Sequence, residues 1–185
     1  MTDTHANFIP VEEYLGWGEQ EVRYEYVDGA VFAMSGGTRR ESGLKVSMVI
    51  ALATAARGSA CRVFDSDFRV QITRTRYYYP DVSVSCEPGD DADTTELNPC
   101  LVVEVLSPST EQTDRREKLV AYMNVPSLRH YLMVAQDEVR IDHYYRADDG
   151  PWNITICGPG DCLVLSCPSA SLSVDDLFAA VSSLS

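Results

Sequence analysis

The sequence predicts a mixed α/β fold of the α+β class, in which a sheet is flanked by helices and hairpins lie at both ends. Between residues 38 and 137 the hydrophobic patterns follow the order helix–strand–strand–strand–helix–strand. The 185 residues, 45% of them hydrophobic, can bury a sizeable core. We expect a single domain over residues 1–185, with an N-terminal hairpin extension over about 10–36, the core over about 38–137, and a C-terminal hairpin and short helix over about 138–185.

Turn and helix patterns predict the N-terminal elements. The stretch VRYEYVDGAVFAM alternates in hydrophobicity around Asp28–Gly29, which is typical of a hairpin with a tight primed turn. Apolar residues at helical spacing predict a helix over residues 42–57, and Gly58 is its expected C-cap.

Strand patterns dominate the rest of the chain. Two strands are predicted from CRVFDSDFRVQIT and RYYYPDVSVSC, and a third over Leu101–Leu106 after an acidic loop. A helix near residues 114–124 and a strand from RHYLMVAQD follow. A second hairpin with its turn at Asp149–Gly150, and a short helix capped by Ser173, complete the prediction.

Charge and composition limit the classes of function. The net charge is −13, from 28 acidic and 15 basic residues, which opposes tight nonspecific binding of a polyanion. Basic residues nevertheless cluster at 39–45, 69–76 and 115–118, so a local basic face is compatible with the sequence. No secretory signal and no apolar run long enough to span a bilayer occur, so we expect a soluble cytoplasmic protein without membrane contact.

The chain contains six cysteines, Cys61, Cys86, Cys100, Cys157, Cys162 and Cys167. The first three fall in or beside predicted strands, where a free thiol behaves as a small hydrophobe. The last three are evenly spaced, but no CxxC pair occurs and the nearest histidine, His143, is distant in sequence, which disfavours structural zinc. Without a signal peptide, we predict that all six are reduced.

Two predicted strands each contain one carboxylate where a buried strand is usually apolar. These are Asp81 and Glu104, and burying an ionised carboxylate costs several kcal/mol unless it is paired, hydrogen-bonded or bound to a metal. If the register aligns the two strands, both carboxylates converge at one end of the sheet, where they would repel each other. A hard divalent cation such as Mg²⁺ would offset this repulsion and polarise a phosphate, and we expect Mn²⁺ to substitute for it.

A cation near a scissile phosphate would also favour phosphodiester hydrolysis. The sequence has two lysines, Lys45 and Lys118, and Lys118 lies on the predicted helix directly after the Glu104 strand. Each residue alone has an ordinary structural explanation. Glu104 could pair with a core arginine, and Asp81 could accept backbone N–H groups. Lys118 could form an i,i+4 ion pair with Asp114, but the constellation on this strand order favours a functional site.

The stretches YYYPDVSVSC, LVVEVLSPST and DRREKLVAYMNVPSLRHYLMV resemble the bacterial Uma-type endonucleases, long labelled a domain of unknown function. That family belongs to the PD-(D/E)xK superfamily, with a restriction-endonuclease-like fold. The resemblance runs from VEEYLGW to the C-terminal helix. It implies that Asp81 and Glu104 bind the metal, that Lys118 is the catalytic cation, and that the protein is a homodimer. Leu106 stands where the superfamily usually has lysine, two positions after the acid.

The resemblance also implies a second set of site residues. Relatives often have histidine where this chain has Glu41, and a carboxylate there could add a metal ligand or spoil a phosphate contact. Glu25 and Asp67 match recurrent acids of the family. For Glu25, an ordinary ion pair with Arg23 or Arg40 is an equal alternative.

Together these patterns predict a Mg²⁺-dependent endonuclease that hydrolyses DNA by attack of metal-activated water. The alternative is a non-catalytic binding or regulatory protein that keeps the nuclease fold and uses the acids as a structural network. The acidic balance and Leu106 favour the alternative, whereas Asp81, Glu104 and Lys118 favour the enzyme.

Overall fold

The computed structural model describes residues 8–18, 20–107 and 114–182, with only the backbone at residues 114, 115 and 182. It confirms the mixed α+β class. The helices are α1 Val11–Leu15, α2 Arg39–Ala55, α3 Leu119–Met123, which directly follows a π-helical turn over Asp114–Lys118, and α4 Val174–Ser182. Within the described ranges, no helix combines the length and the apolar character needed to cross a membrane.

The strands, in chain order, are β1 Tyr24–Val27, β2 Ala30–Ala33, β3 Arg62–Asp65, β4 Arg69–Thr73, β5 Arg76–Tyr78, β6 Val82–Ser85, β7 Thr95–Glu96, β8 Leu101–Leu106, β9 His130–Ala135, β10 Ile141–Tyr145, β11 Asn153–Cys157, β12 Cys162–Ser166 and β13 Ser169–Ser173. They form a six-stranded sheet in the order β11-β10-β9-β8-β6-β3, a five-stranded sheet in the order β2-β1-β5-β4-β7, and the β12-β13 hairpin. The strands β8 and β9 are parallel, and the π-helical turn and α3 lie between them in the chain.

Most predicted elements are present. The Asp28–Gly29 hairpin is confirmed, with φ of 49° and 97° at the two turn residues, as a primed turn requires. Helix α2 begins at a capping box, in which the Thr38 hydroxyl accepts from the Glu41 N–H at 3.1 Å. The Ser173 hydroxyl accepts from the Asp176 N–H at the start of α4, as predicted. The β12-β13 hairpin was not predicted.

Two predicted strands differ from the structure, because each divides between the two large sheets. The first becomes β3 and β4, separated by a turn in which the Asp65 carboxylate accepts from the Asp67 N–H. The second becomes β5 and β6, separated at Pro80, whose missing N–H cannot continue a ladder. The break places Asp81 where the chain passes from one sheet to the other.

The six-stranded sheet is covered on both faces. On one face, Leu44 and Met48 of α2 and Phe178 of α4 pack in one buried cluster with Val103 and Val105. On the other face, the buried cluster contains Tyr122 of α3 and two alternate residues of β8, Val102 and Leu106. Because side chains alternate along a strand, Glu104 is on the same face as Val102 and Leu106, which is the α3 side.

The prediction that all six cysteines are reduced is wrong for four of them. Disulfides join Cys61 to Cys86 and Cys100 to Cys167, whereas Cys157 and Cys162 are free. The register of β3 on β6 pairs Arg62 with Ser85 and so sets the next residues, Cys61 and Cys86, opposite each other. This pairing depends on strand register, which spacing alone does not reveal.

His130 and His143 form a buried pair whose tautomers follow from their hydrogen bonds. Nε2 of His130 accepts from the Ser166 N–H at 2.9 Å, so neutral His130 has its proton on Nδ1. This proton is donated to Nε2 of His143, 2.9 Å away. Burial lowers the pKa of each imidazole from 6.5 to about 4.

We therefore expect the free energy of unfolding to fall as the pH drops from 6.5 to about 4, because only the unfolded histidines take up protons in this window. Each histidine contributes a slope of up to about 1.4 kcal/mol per pH unit. Denaturant titrations across the window measure the slope. His143→Gln keeps an acceptor for His130 and should remove about half of it; a wild-type stability that is flat across the window would contradict this assignment.

Candidate active site

Asp81 directly precedes β6, and Glu104 is on the neighbouring antiparallel strand β8. Strand β6 pairs with β8 in a register that sets Val82 opposite Val103. Continuing this register by one residue sets Asp81 opposite Glu104. Both residues line one cavity near the start of β6. Both are buried, with exposures of 8% for Asp81 and 4% for Glu104.

Asp81 is held by a backbone donor and a lysine. Its Oδ2 accepts from the Val105 N–H at 2.7 Å, and its Oδ1 lies 2.8 Å from Nζ of Lys45. Burial raises the pKa of Asp81 above its usual value of 3.8, although Lys45 and the Val105 N–H act in the opposite direction. The ionised carboxylate is thus incompletely compensated by its protein partners, and a bound cation would stabilise it.

Glu104 is linked to Glu25 through Lys118. Nζ of Lys118 lies 3.2 Å from Oε1 of Glu104 and 2.9 Å from Oε1 of Glu25. The Tyr122 hydroxyl donates to Oε1 of Glu104 at 3.3 Å, and the Lys118 ammonium lies 5.4 Å from the centre of the Tyr78 ring. Lys118 is 6% exposed. The lysine predicted from the helix after β8 therefore reaches the Glu104 carboxylate.

Lys45 links Asp81 to Glu41. Its Nζ lies 2.6 Å from Oε1 of Glu41, one helical turn earlier on α2. Burial alone would lower the pKa of Lys45, but the two carboxylates outweigh this effect and the pKa is raised. Lys45 is therefore a cation at neutral pH. Lys45 was not among the predicted site residues, although it is one of only two lysines and lies four positions after Glu41.

These groups line a cavity of about 480 Å³ between the two large sheets and the start of α2. Among the described residues, its titratable side chains include five carboxylates and two lysines, namely Glu25, Glu41, Asp81, Glu104, Glu117, Lys45 and Lys118. Both lysines of the chain are thus in one cavity. The acids outnumber them, so the cavity has an excess of negative charge that attracts a cation.

The oxygen donors of the cavity fit a hard divalent metal. Asp81 and Glu104 are buried and line the same cavity, and Glu41 adds a third carboxylate that contacts Lys45, the partner of Asp81. Carboxylate oxygens are the ligands that Mg²⁺ and Mn²⁺ prefer. Asp81 and Glu104 are the residues that would hold such an ion.

The secondary site residues separate in the structure. Glu25 and Glu41 line the cavity, but Asp67 is on the turn after β3, with a side-chain exposure of 77%, and forms an ion pair with Arg23. Glu25 contacts Lys118 and the Tyr79 N–H, and within the described part of the chain it forms no ion pair with Arg23 or Arg40. Asp67 therefore has the position of a surface residue, away from Asp81 and Glu104.

Comparison with known proteins identifies the family of this chain. Residues 11–175 match the model of the Uma2 family, which is described as "Putative restriction endonuclease". This chain belongs to the Uma2 family. Two relatives from Synechocystis sp. are uncharacterized proteins: slr1290 is 42% identical over 170 residues, covering 90% of each chain, and sll1609 is 30% identical over 160 residues, covering 84% of this chain and 90% of the relative.

A solved structure shares the fold of this Uma2 protein. It is the crystal structure of a "putative nuclease belonging to DUF820" from Anabaena variabilis, with a TM-score of 0.76 and 20% sequence identity. The match covers 93% of this chain and 98% of the other. The restriction-endonuclease-like fold predicted from the sequence is thereby confirmed.

Proposed function

We propose that this Uma2 protein is a metal-dependent endonuclease that hydrolyses DNA phosphodiester bonds. The observation that carries the proposal is the β6–β8 register, which sets Asp81 opposite Glu104 in the wall of a cavity that also contains both lysines. Mg²⁺ is the proposed ion, with Mn²⁺ as its substitute, and Asp81 and Glu104 are its proposed ligands. When bound, the ion would supply an activated water and stabilise charge on the phosphate.

Lys118 is proposed to stabilise the negative charge that develops on the phosphate during attack. Its ammonium is fixed by Glu25, Glu104 and the Tyr78 ring, so little reorganisation is needed when charge develops. A buried cation acts more strongly than an exposed one because solvent screens it less. Lys45, with 27% of its side chain exposed, is proposed to orient Asp81 and Glu41.

The departure at Leu106 has a structural explanation that supports this role for Lys118. Leu106 packs in the buried cluster with Tyr122 and Tyr131 and is 5% exposed, so a lysine at this position would place its charge in an apolar environment. Lys118 instead enters from the π-helical turn that follows β8. Its contact with Glu104 gives the site a cation next to the second acid, although the sequence spacing differs.

Access for a DNA backbone is proposed near the starts of α2 and the π-helical turn. Arg39 and Arg116 are exposed in these two segments, which also supply the cavity residues Glu41 and Lys118. By contrast, Arg40 donates to the carbonyl of Val181 and is held by the fold. Two exposed guanidinium groups would offset part of the acidic charge where phosphates approach.

Cleavage of supercoiled plasmid tests the proposal. We expect nicking in Mg²⁺ or Mn²⁺, its loss on chelation, and a loss of activity in Glu104→Gln, which keeps the size of the side chain but removes its charge. Asp67→Asn, an equivalent change on the surface, should cleave like wild type. The proposal fails if wild type does not nick DNA with either ion, or if Glu104→Gln nicks equally well.

The non-catalytic alternative predicts a different result in the same assay. The net charge of −13 is the observation that favours it, because it opposes the approach of DNA. In that case the protein would show no cleavage with either ion. The proposed homodimer is tested separately by the solution mass of the chain in light scattering.

A further inference from the structure

Four of the six cysteines meet at the end of the sheet opposite the candidate active site. Asp81 directly precedes β6, whereas Cys86 directly follows it, and Cys100 directly precedes β8. Cys61 precedes β3, opposite Cys86, and Cys167 is at the turn of the β12-β13 hairpin. Four segments that are distant in sequence therefore bring one sulfur each to the same place.

Three of the four sulfur atoms lie close to one another, and the fourth, Sγ of Cys100, is close to two of them. Sγ of Cys86 lies 3.6 Å from Sγ of Cys100 and 3.3 Å from Sγ of Cys167, and each of these two pairs joins different disulfides. The sulfurs of Cys61, Cys86 and Cys167 all lie within 4.8 Å of one another. Four thiolates around a tetrahedral zinc ion, at about 2.3 Å each, are separated by about 3.8 Å.

We propose that the reduced form of this four-cysteine cluster (Cys61, Cys86, Cys100 and Cys167) binds one zinc ion as a structural tetrathiolate site. The two disulfides are the oxidised form of the same four side chains, so metal binding requires that they be reduced. One ion fits better than a polynuclear iron–sulfur cluster, because the sulfurs of Cys61, Cys86 and Cys167 are too close together to surround several iron atoms. Zinc is favoured because it prefers soft thiolate ligands in tetrahedral geometry.

The position of the cluster indicates what the ion would do. Cys167 is buried, and the other three cysteines pack against the main hydrophobic cluster. An ion bound to all four would connect the β12-β13 hairpin to three strands of the six-stranded sheet, the edge strand β3 and the internal strands β6 and β8. The site would thus stabilise the fold, since binding energy in a structural zinc site contributes to folding.

Cobalt titration of the reduced chain under anaerobic conditions tests this proposal. Full-length protein is reduced with a phosphine, freed of reductant and titrated with Co²⁺, whose thiolate complexes absorb through sulfur-to-metal charge transfer. We expect one such site per chain, with absorption that disappears when Zn²⁺ displaces the Co²⁺. Ions bound only to the carboxylates of the active-site cavity do not give this absorption, so the two sites are distinguished.

Two serine variants make the test specific. Cys86→Ser should lose the charge-transfer absorption, whereas Cys162→Ser, at an exposed cysteine outside the cluster, should keep it. If Cys86→Ser does not fold, the wild-type titration and native mass spectrometry with Zn²⁺ decide alone. Reduced wild type without thiolate–cobalt absorption, or Cys162→Ser that loses it while Cys86→Ser retains it, would overturn the proposal.

Discussion

Asp81→Asn is expected to abolish Mn²⁺ binding without destabilising the fold. The asparagine oxygen can still accept from the Val105 N–H, but the charge that would bind the metal is removed. The loss of Mn²⁺ affinity should exceed about 10–100-fold, which is the loss typical of removing a residue that only hydrogen-bonds to a metal ligand. Calorimetric titration of Mn²⁺ into the variant and wild type measures this difference.

The stability of this variant follows from the pKa of Asp81. Since burial raises that pKa above 3.8, Asp81 binds its proton more tightly in the folded state than in the unfolded state. The contribution of Asp81 to the free energy of unfolding should therefore fall as the pH rises from 3.8 through the raised pKa, a slope opposite in sign to that of the two histidines. Asp81→Asn should lack this decrease and be at least as stable as wild type at neutral pH without metal.

Asp67→Asn is the matched control, because it makes the same chemical change at an exposed residue. It should bind Mn²⁺ like wild type. An Asp81→Asn protein that binds Mn²⁺ with wild-type affinity would show that Asp81 is only a structural hydrogen-bond acceptor. A large loss of stability in Asp81→Asn would instead show that its ion pair with Lys45 outweighs the cost of burial.

Lys118→Met is expected to reduce DNA cleavage by about a hundredfold or more, the typical effect of removing one positioned electrostatic donor. Mn²⁺ affinity should be equal to or higher than that of wild type, because a positive charge next to Glu104 is removed. Single-turnover cleavage and Mn²⁺ titration together measure these opposite effects. The variant should also melt at a lower temperature, since Glu25 and Glu104 lose their shared cation.

Lys45→Met is the matched control within the same cavity. Lys45 contacts Asp81 as closely as Lys118 contacts Glu25, but it is more exposed and its charge is better screened. We therefore expect a smaller loss of cleavage. If Lys45→Met loses more activity than Lys118→Met, the catalytic cation is Lys45 and our assignment is wrong. Lys118→Gln, which keeps a hydrogen-bond donor, provides a second neutral variant if Lys118→Met is unstable.

The strand pattern was sufficient to predict the pair Asp81 and Glu104. An acid in an apolar strand is costly, so it stands out in the sequence, and the alternation along each strand predicts its face. Glu104 is on β8 as predicted, whereas Asp81 directly precedes β6, where continuing the β6–β8 register sets it opposite Glu104. Lys118 was predicted for a similar reason, because a helix that directly follows β8 returns over the end of that strand.

Contacts between distant segments could not be predicted in the same way. Lys45 approaches Asp81 only because α2 packs on the sheet. Asp67 is on the surface because it lies in the turn between β3 and β4, which was not predicted. The contact of Cys100 with Cys167 requires the β12-β13 hairpin, which was not predicted. Each of these results depends on tertiary packing and strand register, which local periodicity does not specify.

The most direct test of the proposed metal site is a crystal structure with Mn²⁺, recorded to show the anomalous scattering of the ion. We expect a peak about 2.0–2.6 Å from carboxylate oxygens of both Asp81 and Glu104. Crystals of Asp81→Asn should show no anomalous peak at this position. A well-ordered wild-type crystal with Mn²⁺ bound elsewhere, or with no peak between these two residues, would contradict the central claim that they form one metal site.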